Sequence, residues 1–122
     1  MADTTIDRNV VRGAATTLIL TLLAEEPMHG YQLAQAIRAR SEGIFAFSEG
    51  TIYPLLYGLE DRGLVRGAWS AGDGGRRRKV YQLTPRGKRA LDSRRRAWSL
   101  FSQGMRLVLG RGAAGAAGTG KA

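Results

Sequence analysis

Ser48-Glu49-Gly50-Thr51-Ile52-Tyr53-Pro54-Leu55-Leu56, carried on by Leu59-Glu60-Asp61-Arg62-Gly63-Leu64-Val65, is the stretch that decides the fold. Ser48 brings a hydroxyl that can accept a bond from a free first-turn amide of a helix. Glu49 adds negative charge where the helix dipole is positive. Ile52, Leu55, Leu56 and Leu59 then recur at helical spacing and define a buried stripe. Gly63 suits the left-handed position that ends a helix. Pro54 deletes the amide that would bond the Gly50 carbonyl, and in the second turn this predicts a bend, not a break. Past the glycine, Leu64 to Trp69 alternates apolar and polar positions, as does Val80-Tyr81-Gln82-Leu83. Between them lies a glycine turn loaded with cations, Gly72-Asp73-Gly74-Gly75-Arg76-Arg77-Arg78-Lys79. A helix followed by a hairpin with a basic tip is the layout of a winged helix-turn-helix, and it makes double-stranded DNA the leading partner.

Outward from this segment the chain reads as helices. From Arg8 to Glu25, Val11, Ala15, Leu18, Ile19, Leu22 and Leu23 fall on one helical face. Pro27 ends that helix and pushes Glu26 out of the helical region. A second helix spans Gly30 to Arg40, with Tyr31, Leu33, Ala34 and Ile37 as its apolar stripe, and Gly43 stops it. The apolar link Ile44-Phe45-Ala46-Phe47 is expected to pack under the next helix. Thr84-Pro85 starts a last helix, with proline at its favoured first position. In it Leu91, Trp98 and Met105 are spaced by seven, and Phe101 and Val108 fill the complementary seam, interrupted by Arg94. Such a pattern joins helices from two chains. The expected architecture is α+β, mainly helical: a DNA-binding domain over 8–84, one C-terminal dimerisation helix over 85–109, and a disordered Gly/Ala tail over 110–122. Residues 1 to about 7 are polar and expected to be loose.

Composition limits the function classes. The 122 residues make one small domain with an appended element, and burying a face against a second copy would help so small a core. Nineteen Lys and Arg against ten Asp and Glu leave a net charge of +9, which favours polyanions. With no cysteine and a single histidine, neither a disulfide nor a zinc ligand set can be assembled, and no metal or cofactor is expected. The longest apolar run, near Leu18 to Ala24, is far shorter than the ~20 residues of a membrane span. The N-terminus lacks the basic-then-apolar order of a signal peptide, so the expected location is the cytoplasm.

Three segments in order, Pro27-Met28-His29-Gly30-Tyr31-Gln32-Leu33, Ser48 to Leu56, and Gly75-Arg76-Arg77-Arg78-Lys79-Val80-Tyr81-Gln82-Leu83-Thr84-Pro85-Arg86-Gly87, closely resemble the PadR family of bacterial transcriptional regulators. The resemblance covers about residues 12 to 95, and the single C-terminal helix looks like that of its short subfamily. It implies a dimeric winged-helix repressor. It also implies a small aromatic or drug-like effector, with a tryptophan similar to Trp98 lining a pocket between two chains. The Gly/Ala tail is no part of the family pattern.

Arg76, Arg77, Arg78 and Lys79 carry the strongest functional signal: cations at a hairpin tip reach phosphates beside the groove that holds the recognition helix. Base reading is expected from Ser48, Gly50, Thr51, Tyr53 and Tyr57, with Gln35 and Arg38 adding phosphate contacts from the preceding helix. No Arg or Asn lies in that early stretch, so DNA shape is expected to contribute to specificity. His29 reads as structural or as a cap. No nucleophile motif is present, and Gly118-Thr119-Gly120-Lys121 lacks the spacing and the following helix of a phosphate loop, so no catalytic residue is expected. The dimer interface is expected to use Val11, Leu18, Leu91, Trp98, Phe101, Met105 and Val108. Following the resemblance, Trp98, Phe101, Met105, Arg94 and Arg95 form the candidate effector site. The leading reading is a homodimer on an inverted-repeat operator in double-stranded DNA, released by a small hydrophobic or aromatic effector. Its rivals are a non-sensing architectural nucleic-acid-binding protein and an interaction module that has lost specific DNA binding.

Overall fold

The computed structural model describes residues 8–71 and 77–117, with side chains for 12–71 and 77–110. Four helices and three strands follow in the order α1 (Arg8–Glu25), β1 (Met28–His29), α2 (Gly30–Arg40), α3 (Glu49–Asp61), β2 (Val65–Ser70), β3 (Arg78–Leu83) and α4 (Pro85–Ala117). This is a mostly helical winged-helix fold with a small antiparallel sheet. The chain divides into two compact units after Leu91.

In the first unit the helices end where the sequence places stop signals. Chain reversal after α2 uses the left-handed region at Glu42 and Gly43. At the end of α3, Gly63 has φ +75°. Its amide donates to the Glu60 carbonyl and the Leu64 amide donates to the Leu59 carbonyl, which satisfies the last carbonyls of the helix. Pro54 sits inside α3 and the helix runs through it. Ser48 is the N-cap residue of α3, but its hydroxyl makes no cap to the backbone; it lies 3.5 Å from the Thr51 hydroxyl instead. The start of α4 is capped as its sequence predicts, the Gly87 amide donating to the Thr84 hydroxyl oxygen at 3.0 Å. That hydroxyl itself donates to the Gly63 carbonyl at 2.7 Å.

The sheet order is β1-β3-β2, antiparallel throughout. A two-stranded hairpin was expected. β1 adds a third strand, pairing Met28 with Tyr81 and His29 with Val80. Gly67 lies opposite Tyr81 and Trp69 opposite Lys79, so these four residues share one face of the sheet. The core gathers Ile19, Leu20 and Leu23 of α1, Leu33 and Ile37 of α2, Ile52, Leu56 and Leu59 of α3, and Val65 and Tyr81 of the hairpin. Of the link before α3, Phe47 is buried and Phe45 packs against the core, while Ile44 faces solvent. Thr16 and Thr17 are buried in α1 because each hydroxyl donates to the carbonyl one turn earlier.

Two expectations about α4 change. Leu91, placed at a subunit seam by the heptad spacing, is 2% exposed and belongs to the core of the first unit. The first two turns of α4 are thus spent inside the protomer. The helix also continues to Ala117, past the Leu109 end expected from the glycines. The alanines interleaved there have the highest helix propensity of any residue and offset part of the glycine cost. Residues 118–122 of the expected tail, and the loose N-terminal residues 1–7, lie outside the described residues. In the second unit the α4 side chains Leu100, Phe101, Met105, Leu107, Val108 and Leu109 are exposed. Trp98 is half-buried, with its ring edge-on to Phe101 at 5.3 Å between centroids.

Candidate nucleic-acid interface

The first turn of α3 presents Ser48, Glu49, Gly50 and Thr51 to solvent, and Tyr57 lies exposed a turn and a half later. A recess of about 500 Å³ brings Gln35 and Arg38 of α2 beside Ser48 and Glu49. Gln35 donates to the Tyr31 hydroxyl at 3.1 Å, which holds the amide over the outer face of α2. The expected candidates on these two helices therefore collect on one side of the first unit.

The hairpin closes the other side of a larger groove, about 700 Å³, lined by His29, Tyr31, Tyr53, Tyr57, Trp69, Arg77, Arg78, Lys79 and Tyr81, with the Glu49 carboxylate as its acidic member. Glu60, on the last turn of α3, fixes the hairpin relative to the helix. Its carboxylate accepts from Lys79 Nζ at 3.0 Å and from the Gly67 amide at 3.3 Å, so one side chain reaches both strands. Arg76 and the rest of the 72–76 turn lie outside the described residues. Of the three described cations, each lies over an aromatic ring: Arg77 over Trp69 at 5.3 Å, Arg78 over Tyr31 at 6.0 Å, and Lys79 over Tyr81 at 5.5 Å. Such pairs are weak at exposed sites, about 0.5–1 kcal/mol. A phosphate can therefore draw the guanidinium groups away at low cost.

Two glycines make room for the rings. A Cβ on Gly30 would lie 2.5 Å from the Tyr53 ring, and one on Gly67 would lie 2.9 Å from the Tyr81 ring. Tyr53 thus lies against the start of α2, half-buried, its acidity lowered by burial and then by the Glu49 carboxylate. Tyr81 is fully buried, and among the described residues its hydroxyl has no hydrogen-bond partner. Burial, followed by the Glu60 carboxylate, pushes its pKa up to about 12, so the phenol stays protonated.

His29 is the N-cap of α2. Its Nδ1 accepts from the Gln32 amide at 3.2 Å and the Gln32 side chain accepts from the His29 amide at 3.0 Å. This reciprocal pair is a capping box. With Nδ1 accepting, the neutral ring carries its proton on Nε2. Arg78 Nη1 lies 3.3 Å from that nitrogen. Burial and then the Arg78 charge hold the His29 pKa below its ordinary 6.5.

The cations and the α3 residues are legible in the sequence as site candidates; Tyr31, Trp69, Tyr81 and the strut Glu60 are not. Alternation in the two strands could have placed Trp69 and Tyr81 on one face; no local signal marks Glu60. Among the described residues no group of three or more His, Asp or Glu side chains could hold a metal, and no helix is long and apolar enough to cross a membrane. Of the expected effector and dimer residues in the second unit, Trp98 and Phe101 meet edge to face on α4, Met105 is exposed one turn further along the helix, Arg94 is half-buried and Arg95 is exposed. Leu18 packs half-buried against the core and lines a small apolar pocket with Ile37 and Phe45; the Val11 side chain lies outside the described residues.

Comparison with known proteins agrees with this architecture. The model of the transcriptional regulator PadR-like family matches residues 19–93, more than half of the chain. A transcriptional regulator of Mycobacterium tuberculosis is 38% identical over 90 residues, which span 74% of this chain and 80% of the relative. Among solved structures, a transcriptional regulator from Thermoplasma acidophilum superposes with a TM-score of 0.75 at 30% identity, covering 84% of this chain and 97% of its own. A PadR family regulator from Eggerthella lenta gives 0.72 at 31% identity, covering 83% and 86%. These relatives are regulators of transcription, not enzymes. The extent of the family match and the shared winged-helix architecture together place this chain in the PadR-like family of transcriptional regulators.

Proposed function

We propose that this regulator is a homodimeric, cytoplasmic repressor that binds an inverted repeat in double-stranded DNA. The observation that carries the reading is the placement of the α3 start and the hairpin cations on two sides of one groove, held by Glu60. The exposed first turn of α3 enters the major groove, where Gly50 allows close approach and Thr51 and Tyr57 meet base edges. Arg77, Arg78 and Lys79, with Arg76, take phosphates. Gln35 and Arg38 take phosphates from the α2 side. Phosphate contacts position the protein, and their loss weakens binding to all sequences alike.

Apolar side chains exposed along α4 support pairing with a second copy, since contiguous exposed apolar surface marks an interface. In a two-fold dimer the half-sites lie about one helical turn apart. Effector release uses the Trp98, Phe101 and Met105 cluster, with Arg94 and Arg95 balancing an anionic group. A planar hydrophobic molecule there acts only by binding the DNA-competent and DNA-free arrangements unequally. Competition binding against excess random duplex tests the whole reading. A repressor discriminates its operator by roughly 10³-fold or more, and an architectural protein shows no such preference. Arg77→Ala with Arg78→Ala is expected to reduce the salt slope of binding by about 2. An unchanged slope would show that the hairpin does not touch phosphate.

A further inference from the structure

We infer that the groove between α3 and the hairpin is also a site for a free nucleotide, an aromatic base carrying a phosphate, whose binding there excludes DNA. The inference rests on the DNA-binding reading only for the exclusion, not for the site. Duplex DNA offers this groove phosphates and base edges, and cations with a helix start suffice to meet them. Two of the rings, Tyr31 and Trp69, have no part in that task. Tyr31, Tyr57 and Trp69 are 45%, 52% and 60% exposed and line the same open space. Exposed rings among cations are the arrangement that stacks an unpaired base and holds its phosphate. Bases inside a duplex stack on one another and have no use for a ring face, whereas a free nucleotide can use both ring and cation.

Three further features fit such an occupant. The groove, at about 700 Å³, falls within the range of small-molecule sites. Arg77 lies over Trp69 and Arg78 over Tyr31, so a base displacing either guanidinium from its ring leaves the cation beside the base, where the phosphate sits. The seats of Tyr53 and Tyr81 on Gly30 and Gly67 show that the wall is built from fitted parts.

The test is calorimetric titration of the full chain with adenosine 5′-monophosphate, with adenosine and ribose 5-phosphate as the two halves of the ligand. The nucleotide is expected to bind one per protomer in the micromolar to low-millimolar range, and each half at least about tenfold more weakly. Tyr57→Ala and Arg77→Ala are each expected to weaken it about tenfold while keeping a cooperative thermal transition. Ribose 5-phosphate binding as well as the nucleotide, absence of saturable heat at ~10 mM, or indifference to both substitutions overturns the site. A short single strand that binds more than about a hundredfold tighter than the nucleotide through Tyr57 would reassign the groove to an unpaired base of nucleic acid and overturn the free-ligand assignment. Displacement of a labelled duplex at the nucleotide's own dissociation constant supports exclusion, and binding without displacement overturns it. Nucleotide binding by a protein that fails to bind any duplex would uphold the site and overturn the DNA-binding reading alone.

Discussion

Single side chains set the polarity and the pH response of the groove. A hydroxyl buried without a partner costs about 1–3 kcal/mol, and Tyr81 carries one at 0% exposure. Tyr81→Phe removes the cost and keeps the ring on Gly67. The variant is expected to be more stable than the parent by about 1 kcal/mol in urea unfolding; a loss of stability would mean that a buried water satisfies the hydroxyl. His29 sets the acid response. Its pKa in the folded chain lies below the ordinary 6.5, so the unfolded state binds more protons as pH falls past that value. The stability tied to the neutral ring is therefore complete above pH 6.5 and declines as pH drops below it. Protonation places an N–H where the Gln32 amide must donate and sets a second cation against Arg78. His29→Asn keeps a capping side chain without titrating. The difference in urea midpoint between parent and variant should shift in favour of the variant between pH 7.5 and 5.5; a difference independent of pH would remove His29 as the sensor.

Elements are held together by a few close fits, and these were legible to different degrees. Gly87, in the first turn of α4, has no room for a Cβ, which would lie 2.0 Å from the Leu64 carbonyl oxygen. Backbone cannot yield as a side-chain tip can, so Gly87→Ala is expected to lose about 1–3 kcal/mol and to lower the thermal midpoint accordingly. A melt unchanged from the parent would show that α4 can lift from Leu64 freely. The same glycine was quoted in the sequence only as part of a motif, because nothing local reveals a contact between residues so far apart. By contrast, α1, α2 and α3 were readable from their apolar spacing and stops: Pro27, Gly43 and Gly63 end them as chain chemistry requires. β1 was not readable, since two residues are too few to show alternation and Met28 and His29 become a strand only because Tyr81 and Val80 lie alongside. Ser48 had the right residue type for a cap, yet its hydroxyl turned to Thr51. The cations of the groove were evident from composition. The rings that face them were not, because Tyr31 read as part of the apolar stripe of α2 and proves exposed.

For the whole molecule, the apolar length of α4 predicts assembly. Phe101, 55% exposed, sits with Trp98 and Met105 on the helix of the second unit. Phe101→Asp sets a carboxylate in a seam that would have to desolvate it, a cost of several kcal/mol. Sedimentation is expected to convert a dimer to a monomer, and a variant that stays dimeric would place the interface elsewhere. The order of the sheet has a different consequence, for the making of the protein. β3 is the central strand, and it is the last of the three in the chain. Until it is synthesised neither β1 nor β2 has a hydrogen-bonding neighbour, and Tyr81 is missing from the core. Closing β1 onto β3 joins parts of the chain far apart in sequence, the kind of contact that slows folding. On the ribosome α1, α2 and α3 emerge first and wait, their apolar faces uncovered. Only when the wing strand and the α4 turns up to Leu91 have left the exit tunnel can the domain close, so folding of the DNA-binding unit is timed by its C-terminal end rather than by its recognition helix.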